Sequence, residues 1–83
     1  MARYYLHLRD HSDETLDPEG VDLPDLDAVK EIALISARDI LSADLQSGGL
    51  LDLRLRIDAE DRCGKVVHSL AFEDAFQTIP RAA

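Results

Sequence analysis

The stretch "PDLDAVKEIALISARDILSADLQSGG", residues 24–49, decides the fold. Val29, Ile32, Ala33, Ser36, Ala37, Ile40 and Leu41 recur at helical spacing and make one apolar face. Asp25 stands where an N-cap acceptor is needed, with Pro24 just before it. Asp27 puts negative charge at the positive end of the helix dipole. Gly48 and Gly49 end the pattern as helix C-termini commonly end. The spacing predicts one long helix over about 25–47. Leu34 and Ile35 flank its apolar face, so the stripe is wider than one sheet face needs. Both are candidates for contact with a partner.

On either side of the helix the period changes from helical to two. "RYYLHLRD", 3–10, alternates as a strand, with Leu6 and Leu8 expected inward and Tyr5, His7 and Arg9 on the outer face. Residues 11–20 are turn chemistry, ending in Asp-Pro-Glu-Gly, and "GVDLP", 20–24, reads as a short strand with Val21 and Leu23 inward. After the helix, "LLDLRLRIDA", 50–59, alternates strictly. Leu51, Leu53, Leu55, Ile57 and Ala59 are expected inward, and Asp52, Arg54, Arg56 and Asp58 outward. "EDRCGK", 60–65, is a turn with Gly64 free to take positive φ. "VVHSLAF", 66–72, returns with Val66, His68, Leu70 and Phe72 on one face. One helical turn then lays Phe76 on the core before Pro80, and residues 77–83 are expected to be loose. The order is β-β-α-β-β. It predicts an α+β class: a small, mainly antiparallel sheet with one long helix on one face, a single domain over 1–83.

Eighty-three residues support one thin core. Cys63 is alone, so no intramolecular disulfide is possible. The opening residues lack a secretory leader pattern, and no apolar run approaches the ~20 residues of a membrane span. The cytoplasm is the expected location, with no membrane association. The net charge of −8 is concentrated: Asp10, Asp13, Glu14, Asp17, Glu19, Asp22, Asp25 and Asp27 all lie in 10–27, a segment without Lys or Arg. Nucleic-acid binding is therefore disfavoured. Asp25 and Asp27 serve the helix start; the acidic loop, 10–20, is expected to be a solvated hairpin loop.

No reactive constellation stands out. Asp13, Thr15 and Asp17 match the first ligand positions of a calcium loop, but Pro18 and Pro24 replace the required Gly and Glu. His7, His11, His68 and Cys63 have no metal-ligand spacing. The serines and Cys63 belong to no nucleophile motif, and no Gly-rich phosphate loop is present. No cofactor, metal or catalytic residue is expected, and the chain reads as no enzyme. The interaction candidates are Tyr5, His7, Arg9, Arg54 and Arg56 on the open sheet face, with Leu34 and Ile35 on the helix. Basic and aromatic side chains on such a face can stack bases or anchor a protein partner. With Asp52 and Asp58 beside the arginines, cross-strand ion pairs are the plainer reading.

Two resemblances bear on these residues. Arg3, Tyr4, Tyr5 and His7, then Asp17, Glu19, Gly20, Leu23 and Asp25, then Gly64, Val66 and Phe72 resemble the pattern of a family of short, uncharacterised bacterial proteins frequent in rhizobia and related alphaproteobacteria. That resemblance implies a small conserved domain and no assigned activity. The segment "LPDLDAVKEIALISARDIL" also resembles the HicB-type antitoxin domain, which implies an acidic neutraliser of a basic toxin. Here "DLDA" departs from that family's Gly-Cys, and no DNA-binding segment follows the last strand. The sequence therefore supports a non-enzymatic protein-interaction module that associates with itself as a homodimer, with the antitoxin-type neutraliser as the alternative.

Overall fold

A computed structural model describes residues 1–82. The chain runs β1 (Ala2–Arg9), β2 (Glu14–Thr15), β3 (Val21–Leu23), α1 (Leu26–Ser47), β4 (Arg56–Glu60) and β5 (Val66–Ala71), and closes with a 3-10 turn, Phe72–Asp74. The fold is α+β: one antiparallel sheet in the order β2-β1-β4-β5, with β3 also paired to β1, and one helix across it. A radius of gyration of 13.9 Å exceeds the ~12 Å of a compact chain this long, as a long helix on a single sheet requires.

α1 begins where the sequence places it. The Asp25 carboxylate accepts from the Ala28 N–H at 2.9 Å. Val29, Ala33, Ala37 and Leu41, four residues apart, are the buried row. Two alanines at its centre let the helix approach the sheet closely over Ile57, Ala59 and Phe72. At the other end, Gly49 takes φ +70° and its N–H reaches the Asp44 and Leu45 carbonyls.

Three strand expectations change. Residues 50–55 are not a strand, because β1 ends at Arg9, opposite Arg56, and offers them no partner. Asp52 instead folds the chain back by accepting from the Arg54 main-chain N–H at 3.1 Å and from its guanidinium. Leu51 and Leu55 still pack on the core, whereas Leu53 is exposed. In β5 an extra residue interrupts the register: Ala59 faces His68 but Glu60 faces Val66. The bulge sends Val67 into the core and leaves Val66 exposed, the reverse of simple alternation. On β1, Leu6 and Leu8 are half-buried against the core, and the most buried side chain of the strand is His7, on the opposite face. Gly64 takes φ +82° in the β4–β5 turn, as expected.

The acidic loop is not merely solvated. β2 and β3 pair with β1 at registers that differ by two residues, and residues 16–20 bridge the break. The Asp17 carboxylate fills it, accepting from the main-chain N–H groups of Leu6 at 3.2 Å, Glu19 at 3.2 Å and Gly20 at 3.1 Å. Asp10 turns the chain by accepting from the Ser12 and Asp13 N–H groups, both at 2.7 Å. Glu14 and Asp22 pair with Arg9 and Arg3. Phe76 is half-buried on the core beyond the last turn; residues 77–82 are exposed coil, and residue 83 lies outside the described residues.

Candidate functional site

The sheet face away from α1 carries a closed polar network. Cross-strand register sets His7 opposite Asp58, Arg9 opposite Arg56 and Tyr5 opposite Glu60. Asp58 is only 5% exposed. Its carboxylate accepts from Ser69 Oγ at 2.6 Å, from Arg9 at 3.1 Å and from the Arg56 Nε at 3.1 Å. Arg9 also reaches Glu60 at 2.6 Å and Glu14 at 2.9 Å. The Asp17 main-chain N–H donates to His7 Nδ1 at 3.0 Å, which places the imidazole proton on Nε2, 3.4 Å from Glu60 Oε1. The Tyr5 ring lies nearly parallel to His7, 11° apart, with centroids at 6.4 Å.

The network sets its own protonation. Burial pushes the Asp58 carboxyl up, but Ser69, Arg9 and Arg56 outweigh it and hold the group below the usual carboxylate range. Asp17 behaves likewise: burial raises it, and the Gly20, Leu6 and Glu19 N–H groups bring it below that range. The Glu14, Glu60 and Asp58 carboxylates raise the Arg9 guanidinium still further. Among the described residues, no buried side-chain nitrogen or oxygen lacks a hydrogen-bond partner.

The sequence candidates thus divide. Tyr5, His7, Arg9 and Arg56 do meet on one face, but His7 is buried and both arginines are engaged by carboxylates of this chain. Arg54 does not join them; it closes a local ion pair with Asp52, whose carboxyl it holds down at about 2. Leu34 is half-buried against the core, and Ile35 is 46% exposed. Alternation set Asp58 outward beside the arginines; Asp17, Glu60 and Ser69 are the network members that it did not single out. The Asp17-Pro-Glu-Gly20 turn was the signal for the first of them.

Two apolar hollows flank α1. One, of about 290 Å³, lies among Arg38, Leu41, Ser42, Leu45, Leu51 and Phe76. The other, of about 300 Å³, lies among Ile32, Ser36 and Ile40 of the helix and Leu6, Leu8 and Val21 of the sheet. Leu45 at 58% and Leu50 at 78% exposure lie at the C-terminal end of α1 and just beyond it. No described helix is long and apolar enough to cross a membrane.

These features define a small two-layer α+β domain whose polar sheet face is satisfied from within. Residues 3–73 match the family model described as a domain of unknown function, DUF6894, and the chain belongs to that family. Apart from Ala2 at the start of β1, the match takes in the strands and the helix, including the Asp17–Gly20 turn and the ion-pair face. No curated protein and no solved structure matches the chain.

Proposed function

We propose that this chain is a non-enzymatic protein-interaction module whose partner is a second copy of itself. The observation that carries the reading is the apolar hollow at Leu41, Leu45, Leu51 and Phe76, which opens on one side of the molecule while the polar face is spent on internal pairs. Arg38, on its rim, donates from Nε to the Ala75 carbonyl at 2.7 Å, which holds the guanidinium at the edge of a hollow otherwise lined mainly by Leu41, Leu45, Leu51 and Phe76. Apolar surface of this kind gains by being covered, and a core with few large buried side chains gains most.

The neutraliser of a basic partner is the weaker reading. Within 10–27, Asp10, Glu14, Asp17, Asp22 and Asp25 each hold a non-adjacent residue of this chain, which leaves Asp13, Glu19 and Asp27 of that segment to face another protein. Light scattering on size-exclusion fractions over a wide concentration range tests the choice. Apolar self-association predicts a mass that rises with concentration and survives high salt, whereas a charge-driven contact weakens as salt screens it. A single monomer mass throughout counts against self-association.

A further inference from the structure

The two edges of the sheet are built differently. One edge is β2 and β3, only 2 and 3 residues long. It is interrupted by residues 16–20, which include Pro18, and carries Glu14, Asp17, Glu19 and Asp22. Short, broken, charged edges resist pairing with other chains. The other edge is β5, six residues, VVHSLA, with no charged residue and no proline. The Phe72 N–H donates to the Leu55 carbonyl at 3.0 Å, so residue 72 points toward the β4 side. Alternation then turns the main-chain N–H and C=O groups of Ala71 and Ser69 outward. No described segment pairs with that outer side.

We infer that β5 is the seam of a symmetric dimer, in which two copies pair β5 with β5 in antiparallel register and continue one sheet across both molecules. The inference rests on the self-association reading above and names its surface. Two copies that each carry a net charge of −8 repel least along an uncharged strip, and β5 is one. Antiparallel pairing centred on Ser69 sets the start of one β5 beside the end of the other, so Lys65, just before the strand, lies at the same end of the seam as Glu73 in the partner's 3-10 turn, and the flanking charges are of opposite sign. The Arg38–Ala75 bond holds the Leu45–Phe76 flank of α1 on the side where the chain leaves β5. A six-residue ladder spans only ~20 Å and by itself does not supply the ~800 Å² per partner of a standard interface, so this apolar flank adds area beside it.

The test follows the wild-type chain at about 10 µM and about 1 mM by light scattering and by amide hydrogen exchange. The expected result is a mass rising from 9.2 kDa toward twice that value, with protection at Ser69 and Ala71 appearing only at the higher concentration. Ala71 has φ −72° and ψ 140°, which proline can adopt, and its outward N–H is not needed within the monomer. Ala71→Pro is therefore expected to fold and to raise the dissociation constant about tenfold or more, while Glu31→Gln at an exposed helix position leaves it unchanged. Should Ala71→Pro fail to fold, the wild-type exchange pattern alone decides. A dimer without concentration-dependent protection at Ser69 and Ala71 overturns the β5 seam and leaves self-association standing. A wild-type monomer at both concentrations overturns both.

Discussion

Replacing Gly20 by Ala isolates the turn that joins the two halves of the broken edge strand. Gly20 has φ +72°, and a Cβ there would stand 2.8 Å from the Tyr4 carbonyl oxygen, 2.9 Å from Tyr5 Cε2 and 3.0 Å from Arg3 Cγ. The left-handed conformation costs an L-residue roughly 1–2 kcal/mol. Forcing a methyl group against backbone adds about 1–3 kcal/mol, because a carbonyl in a ladder cannot swing aside as a side-chain tip can. The sum, roughly 2–5 kcal/mol, is a large share of the ~4–12 kcal/mol that a domain this size has in total. At about 4–8 °C per kcal/mol, the midpoint should fall by roughly 10 °C or more. Gly64→Ala is the internal control. It shares the positive φ, at +82°, but its Cβ would meet nothing nearer than Glu60 Oε1 at 4.0 Å. It should therefore cost only the conformational part, about 1–2 kcal/mol. Gly48→Ala, with φ −139° and open space around it, should be close to neutral. Urea titration of the three variants, with thermal melts beside it, measures the differences. If Gly20→Ala costs no more than Gly64→Ala, the close approach of Gly20 to β1 is not what the position requires, and the reasoning fails.

Further outcomes follow from the polar groups. Asp17→Ala removes the acceptor for the Leu6, Glu19 and Gly20 N–H groups and should cost about 2–3 kcal/mol in urea unfolding; Asp17→Asn, which keeps one oxygen, should cost less. Asp58→Ala strands Arg56 and Ser69 on the sheet face, and a loss of about 2–4 kcal/mol is expected; a loss under about 0.5 kcal/mol would show that solvent substitutes for the network. Asp17 and Asp58 both titrate below the ordinary 3.8 when folded, so their stabilisation is fully present above that pH and disappears as pH falls through their folded values. Melting temperature should thus hold steady down to about pH 5 and decline below about pH 4, with the gap between wild type and Asp17→Asn closing as acid is added.

Much of this could be read from residue order alone, where the determinants are local. The helix from Leu26 to Ser47, its Asp25 cap, its glycine stop and the turn at Gly64 depend on neighbours within a few residues, and the hydrophobic period states them directly. Nor did the α+β arrangement need more than the change from period 3.6 to period two. What only the tertiary structure decided were matters of partnership. Residues 50–55 alternate as well as any strand, yet they lack one because β1 stops at Arg9. Val66 and Val67 are chemically identical, and a bulge opposite Glu60 chose which of them is buried. Asp17 and Asp58 look like surface acids in the sequence. Asp17 fills a gap in a ladder and Asp58 sits between two arginines from different strands, arrangements that exist only after Leu6 and Asp17, 11 positions apart, and Arg9 and Asp58, 49 apart, have come together. Alternation specifies which way a side chain points along its own strand; what it meets there is set by the length and register of another.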